Sequence, residues 1–424
     1  MENYGKILLI AMPCFLLLII IEKLYGYFKG VHYAPLMDSV SSISSGITNA
    51  TKDILGISFS ILSYEWMVSH MAVFHVQASV LAYCIAFIVI DFQGYWTHRW
   101  SHQINLFWNK HAIHHSSEEF NLSCALRQSV SSFVNLFTFL LLPAALLGVP
   151  ATVISITLPL HFFLQFWYHT RYINKLGILE KIIVTPSHHR VHHAINPEYL
   201  DKNHSQIFII WDKLFGTFQE ELPDVPPVFG ITRPAATWNP IKINFQHLGV
   251  LIRDAWHAEH FIDKLKIWFM PTGWRPEGFD EKYPLRKIDA VYDFQKYGTE
   301  NPKALIGWSV AQLLITLLFI TYFFDNIGAL TFTELILYGI FVFVTVYSYT
   351  ELMDKNQFAF VWEAIRFFYA TSLIVIHGNW FGLDEQIPNG TYIVLGYLSL
   401  SFAVSLYFSF ISFKKNLNPI TLNV

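Results

Sequence analysis

A run of about 20 mainly apolar residues folds as a bilayer-spanning helix, because hydrocarbon offers no partner for free backbone N–H and C=O groups. Eight stretches of this chain approach that description: Ile7–Ile21, Val80–Trp96, Phe133–Val149, Ala151–Trp167, Ala304–Phe324, Phe332–Tyr349, Phe358–Ile376 and Tyr392–Phe413. Ser39–Ser63, with many Ser, Thr and Gly residues, is weaker and could span or lie in the interface. Charged residues supply only 14% of the chain, against roughly 25% in a soluble domain. The expected fold is therefore all-α, a polytopic integral-membrane helical bundle. Ile7–Ile21 is followed by Glu22-Lys23-Leu24-Tyr25 rather than by a small-residue cleavage site, so it reads as a retained anchor.

Three regions are expected. Residues 1–220 would form a membrane bundle carrying a histidine-rich cap. Residues 221–302 are polar and hold Pro223, Pro226, Pro227, Pro234 and Pro240, so they should lie outside the lipid. Residues 303–424 would form a further group of about four transmembrane helices. The segments 98–128 and 171–215 are too polar to span and should face water at one membrane surface. Arg99, Lys110, Arg127, Arg171, Lys175, Lys181, Arg190, Lys202 and Lys213 cluster there. The positive-inside rule then places the cap on the cytoplasmic side. A net charge of −3 without a basic stripe argues against nucleic acid as a partner. Cys14, Cys84 and Cys124 are scattered and form neither a metal motif nor a disulfide framework.

Eleven of the nineteen histidines fall between His98 and His193, mostly at helical spacing. His98 and His102 share a helix face, as do His111 with His114 or His115, and His189 with His192 or His193. The pattern His-x2-His-His occurs twice, beside a His-x3-His. That is more imidazole than one metal needs, and the count suggests two metal ions held by nitrogen. Lone histidines read differently, because a buried imidazole is usually hydrogen-bonded. His32, His70, His75 and His377 read as satisfied core residues, and His161 as a non-ligand. His204, His247, His257 and His260 read as polar-loop residues.

No cysteine lies near the clusters, which excludes iron–sulfur and thiolate zinc sites. The His-Glu-x2-His of zinc proteases is missing. Imidazole suits iron, copper and zinc. A pair of irons with open positions would bind O2, its reducing electrons coming from outside the pair.

The boxes His98-Arg99-Trp100-Ser101-His102, His111-Ala112-Ile113-His114-His115 and His189-Arg190-Val191-His192-His193 resemble those of the fatty acid hydroxylase / sterol desaturase superfamily, integral-membrane non-haem di-iron oxygenases. The nearer likeness is to its ether-lipid-cleaving branch, the alkylglycerol monooxygenases. It is carried by Asp91-Phe92-Gln93-Gly94-Tyr95-Trp96-Thr97 before the first box and by Ser116-Ser117-Glu118-Glu119-Phe120-Asn121 after the second. Gln165-Phe166-Trp167-Tyr168-His169, Asp201-Lys202-Asn203 and Ile210-Trp211-Asp212-Lys213-Leu214-Phe215-Gly216 extend it. The likeness covers roughly residues 80–280. It departs at His204-Ser205-Gln206, where an aromatic followed by glycines is expected.

The resemblance implies two iron ions, with His98, His102, His111, His114, His115, His169, His189, His192 and His193 as ligands. His188 could ligate or support another ligand. Asp91, Glu118, Glu119 and Asp212 are the carboxylates that could accept the second ring N–H of a ligand, though each could equally be a surface charge or helix cap. No separate catalytic side chain stands out, so reactivity would lie in the metal centre itself. The implied activity is O2-dependent hydroxylation of a membrane lipid beside an ether oxygen, with tetrahydrobiopterin as reductant. Sterol or fatty acyl hydroxylation or desaturation is the alternative within the superfamily. A metal transporter is the alternative outside it, but that would want ionisable residues strung through the spans.

Overall fold

Polar residues within apolar runs decide where this chain turns, as the computed structural model, which describes residues 2–413, makes plain. Helix α1 (Glu2–Lys29) is long and apolar enough to cross a membrane and stops at Gly30, whose φ of 67° is left-handed. Helix α2 (Leu36–Ile54) turns its polar face inward, with Ser39, Ser41, Ser42, Ser44, Ser45, Thr48 and Thr51 all buried. Their hydroxyls find partners close by: Ser44 donates to the Val40 carbonyl at 2.6 Å and Thr51 to the Ile47 carbonyl at 2.8 Å. A helix enclosed by protein needs no apolar surface, which explains the weak hydropathy of Ser39–Ser63. The helix ends at Ile54 instead of running to Ser63.

Helix α3 (Tyr64–Met71) and helix α4 (Val80–Gln103) start at Ser63 and Ser79, whose hydroxyls accept from the backbone N–H three residues on. After a break at Ile104, helix α5 (Asn105–His115) carries the second histidine box. A two-residue parallel bridge pairs Phe59–Ser60 with Val134–Asn135.

The stretches Phe133–Val149 and Ala151–Trp167, expected as spans, form no helix long enough to cross a membrane. The first is broken into a strand, the 3-10 turn Phe137–Leu141 and helix α6 (Leu142–Leu146); the second yields helix α7 (Ala151–Phe163). The 13 residues of α7 rise about 20 Å, short of the roughly 30 Å of hydrocarbon. Pro143 and Pro150 set helix starts, and Gly148 turns the chain between them at φ 72°. A Cβ on Gly148 would stand 1.8 Å from the Phe74 carbonyl oxygen, so only glycine fits this turn. Ala144, Ala145, Val149, Val153 and Ile154 instead bury against Ala82, Ala86 and Ile90 of α4 and Met67 of α3.

The rest of the cap and connecting segment contains α8 (Pro186–His192), α9 (Ile210–Phe215), α10 (Pro240–His257), α11 (Phe261–Phe269) and α12 (Phe279–Lys282). Four long apolar helices follow, α13 (Lys303–Asp325), α14 (Phe332–Met353), α15 (Ala359–His377) and α17 (Gly390–Tyr407), with the short α16 (Leu383–Gln386) before the last. Among the described residues six helices are long and apolar enough to cross a membrane: Gly5–Lys29, Val80–Gln103, Lys303–Asp325, Phe332–Met353, Ala359–His377 and Gly390–Ser412.

The largest core joins α2 to the C-terminal helices, with Val40, Ile43, Ile47 and Ile54 against Ile320, Phe323, Tyr338 and Val342. Polar contacts fasten the same helices to the connecting segment. Asn239 donates to Glu351 Oε1 at 2.8 Å, and the Trp238 N–H to Asp354 Oδ1 at 2.8 Å.

Candidate metal centre

Nine of the ten histidines expected as ligands converge in two adjacent groups. His98 and His102 from α4, His111 and His115 from α5 and His192 from α8 form one; His114, His169, His189 and His193 form the other. In each group the nearest ring nitrogens all lie within 4.8 Å of one another. Helical spacing accounts for the partition. The i,i+4 pairs His111/His115 and His189/His193 each stay together, and the i+3 residue of each box, His114 or His192, turns to the opposite group. Helices α5 and α8 therefore both straddle the boundary, where the His115 and His193 rings stack at 4.3 Å.

The nitrogen separations suit a metal. His98 Nε2 lies 2.8 Å from His111 Nε2, and His115 Nε2 3.0 Å from that same atom. In the second group His189 Nε2 stands 2.8 Å from His169 Nε2 and 3.0 Å from His193 Nε2. Two nitrogens about 2.1 Å from one metal, at right angles, are about 3.0 Å apart. The opposite ring nitrogens are tied down by acceptors. Nδ1 of His98 donates to the His204 carbonyl (2.7 Å), His114 to Arg127 (3.2 Å), His169 to Gln165 (3.0 Å) and His192 to Lys202 (3.0 Å). His102 Nδ1 donates to the Asp201 carboxylate at 3.3 Å. Such donors fix the tautomer and leave Nε2 with a free lone pair. His102 Nε2 and His192 Nε2 are buried without any hydrogen-bond partner, as is His189 Nδ1. Burial holds His111, His115, His169, His189, His192 and His193 well below the ordinary imidazole range and takes His114 down to about 4. These rings are neutral near pH 7, the state a metal requires.

The frame around them is built from buried ion pairs. Arg127 donates to Asp38 (2.8 Å), Ser42 (2.9 Å) and Ser116 (2.8 Å), tying the end of the second box to α2. Arg190, inside the third box, forks onto Glu221 at 2.8 and 2.7 Å and also reaches the carbonyls of Thr170 and Ile173. Thr185 and His188 cap α8 reciprocally.

The remaining sequence candidates lie elsewhere. His188 is outside both groups, 3.3 Å from Glu180. Asp91 accepts from His161 (2.9 Å), from the Ile207 and Phe208 N–H groups and from Trp211 Nε1 (2.8 Å), joining α4, α7 and the loop before α9. Glu118 accepts from the Tyr297 N–H, and Glu119 pairs with Lys296 at 2.7 Å. Asp212 accepts from the His204 and Ser205 N–H groups, both at 2.8 Å, and so reaches His98 only through the His204 carbonyl.

Sequence reasoning missed Asp201, among the described residues the one carboxylate that meets a converging ring, and also missed the main-chain acceptors, which carry no residue signature. His204, read as a polar-loop residue, is fully buried with its ring 5.0 Å from that of His102. His247 is likewise buried, donating to the Asn105 carbonyl at 2.9 Å. Conversely His32, His70 and His75, read as core, are exposed. His161 is no part of either group.

A multi-pass helical bundle with a double nest of neutral imidazoles defines a class, membrane proteins equipped to hold metal on nitrogen ligands. Comparison with known proteins carries this further. Residues 83–217 match the family model for fatty acid hydroxylase. The chain is 35% identical over 362 residues to alkylglycerol monooxygenase of Homo sapiens, covering 84% of this chain and 80% of that protein. It is 31% identical over 375 residues to that of Danio rerio (86% and 81%), and 30% identical over 361 residues to that of Xenopus tropicalis (84% and 79%). The chain belongs to the alkylglycerol monooxygenase family. No solved structure matches it.

Proposed function

We propose that this membrane lipid monooxygenase holds two iron ions and hydroxylates alkylglycerols at the carbon beside the ether oxygen, using O2 and electrons from tetrahydrobiopterin. The observation that carries the reading is the pair of adjacent imidazole groups, five and four strong, with buried ring nitrogens that have no partner inside the protein. His98, His102, His111, His115 and His192 would hold one iron, and His114, His169, His189 and His193 the other. His188 would support α8 through Glu180 and Thr185. When bound, the iron pair supplies the O2-reducing and C–H-oxidising chemistry.

The chain's own part is positional. Main-chain carbonyls and Asp201 hold the imidazoles in one tautomer, and the buried frame around Arg127 and Arg190 keeps α5 and α8 in register. Phe120, whose ring is 5.3 Å from that of His193 and 5.9 Å from that of His169, screens the second group from water. Hydroxylation beside the ether oxygen gives a hemiacetal that collapses to a fatty aldehyde and a glycerol derivative.

The basic residues of segments 98–128 and 171–215 support a cytoplasmic orientation for the cap. We assign catalysis to residues 1–220, with 221–302 as a connecting strap and 303–424 as a supporting bundle. The test is turnover of purified protein in detergent with an alkylglycerol, O2, ferrous iron and tetrahydrobiopterin, with His114→Ala as control. Aldehyde from the parent alone supports the reading. Two irons per chain without aldehyde, while a sterol or acyl lipid is oxidised, would replace the substrate.

A further inference from the structure

Between α5, α10 and the loops 231–233 and 272–275 the protein forms a cleft. One wall is Trp108, on α5 one turn before His111. Its ring lies 5.2 Å from that of His102 and 5.7 Å from that of His115, so a single indole separates the cleft from the five-imidazole group. Two polar groups on the other walls have capacity to spare. Arg233 makes no ion pair within 4.0 Å among the described residues, although Asp254 on the same wall attracts it, and its one side-chain hydrogen bond is long, Nη2 to His247 Nδ1 at 3.5 Å. Thr272 Oγ1 is shielded from water yet has no hydrogen-bond partner. The neighbouring charges are already spent, Arg275 on Asp254 at 2.6 Å and Lys287 on Asp280 at 3.2 Å.

An unused guanidinium, an unused hydroxyl and an indole wall together suit a planar heteroaromatic ring with a carbonyl edge. The guanidinium binds the carbonyl, and flat rings stack on indole. Hydroxylation by O2 also needs two electrons delivered close to the metal centre. R–H, O2, two electrons and two protons give R–OH and H2O. A tetrahydropterin supplies both electrons and both protons in becoming a dihydropterin.

We propose that this cleft binds the reduced pterin, with Arg233 and Thr272 recognising its polar edge and Trp108 linking it electronically to the metal centre. The proposal rests on the O2-dependent reading above and adds where the donor sits.

The experiment is equilibrium dialysis of dihydrobiopterin, a ring analogue that supplies no electrons, against iron-loaded full-length protein in detergent. Parent, Arg233→Gln, Thr272→Val and Val250→Trp are compared, the last filling the cleft; iron per chain and the KM for alkylglycerol are read on each. The expected result is binding by the parent, at least tenfold weaker binding by Arg233→Gln and Val250→Trp, and a smaller loss for Thr272→Val. Iron content and lipid KM stay unchanged. Equal binding by all four proteins overturns the cleft and leaves the monooxygenase reading intact. A parent that binds no pterin yet yields aldehyde with another donor overturns both the cleft and the pterin. Weakened binding in Arg233→Gln, with no aldehyde formed from any alkylglycerol, keeps the cleft and overturns the ether-lipid substrate.

Discussion

Two clusters of buried polar side chains, one in the histidine cap and one in the interior of the C-terminal helices, are satisfied in opposite ways. In the C-terminal cluster Arg366, fully buried, donates to Tyr397 (2.9 Å), Gln312 (3.2 Å), Ser401 (2.5 Å) and Glu363, and Ser348 donates to the far oxygen of Glu363 at 2.5 Å. Apart from Arg366 Nε, the cluster consumes its own donors and acceptors. In the cap, one nitrogen of each of several rings is anchored and the other is left facing its neighbours. A closed network fixes how helices α13, α14, α15 and α17 register. An open one costs stability until something else completes it. Both clusters are buried, so burial of polar groups does not by itself mark a site; imidazole nitrogens that converge without partners do.

The largest effect expected from breaking this comparison is on the open side. His189→Ala removes a ring that meets both His169 and His193, so the second metal should be lost and activity should fall to background. Metal analysis of the purified variant checks it: parent-like iron with full activity would remove His189 from the ligand set. The closed side should respond through stability instead. Arg366→Met alone leaves Glu363 buried without its partner, a change that costs about 3–5 kcal/mol. The joint change Arg366→Met with Glu363→Gln should recover most of that loss. Thermal unfolding in detergent reads both, and iron per folded chain should not move. If iron fell with Arg366→Met, the C-terminal cluster would be part of the site.

Acid should separate the two clusters as well. Burial lowers the cap imidazoles, His114 to about 4 from an ordinary 6.5, so the unfolded chain binds more protons than the folded one between those values. The stability contributed by neutral packing is complete above about pH 6.5 and drains away as pH falls toward about 4. Metal-free protein should therefore melt at a lower temperature at pH 5 than at pH 7.5. An unchanged midpoint would mean that the rings are not buried as neutral groups.

How much of this is legible in the sequence depends on the range of the interaction. The histidine boxes are local patterns, and nine of the ten expected ligands do converge. Which ring joins which group stays open there, since i+3 and i+4 neighbours look alike until a partner helix is placed. The stretches Phe133–Val149 and Ala151–Trp167 mislead because hydropathy averages over Pro143, Gly148 and Pro150, three residues that together turn the chain. Ser39–Ser63 reads weakly because the hydroxyl-rich face of α2 is enclosed by neighbours distant in sequence. The acceptors behind the imidazoles are invisible for the same reason: a carbonyl at Lys202 or His204 belongs to the backbone, and only the loop's path brings it to a ring.

That last point sets the smallest expected effect. Loss of an outer partner of a metal-bound histidine costs about tenfold to a hundredfold in metal affinity. Among the described residues Asp201 is the only such partner that substitution can change, because the others are main-chain carbonyls. Its carboxylate is half exposed and sits 3.3 Å from His102 Nδ1, a long contact already shared with water. Asp201→Asn keeps an oxygen that can accept the same proton, so its effect should lie at or below the tenfold end, read by competition with an iron chelator. Asp201→Leu removes the acceptor and should cost more. If neither variant moves affinity, His102 is oriented by packing against Trp108 and His192, and the carboxylate contributes nothing to the centre. If both behave like His189→Ala, the five-imidazole group has no tolerance for rotation of a single ring, and the open cluster is as rigidly set as the closed one.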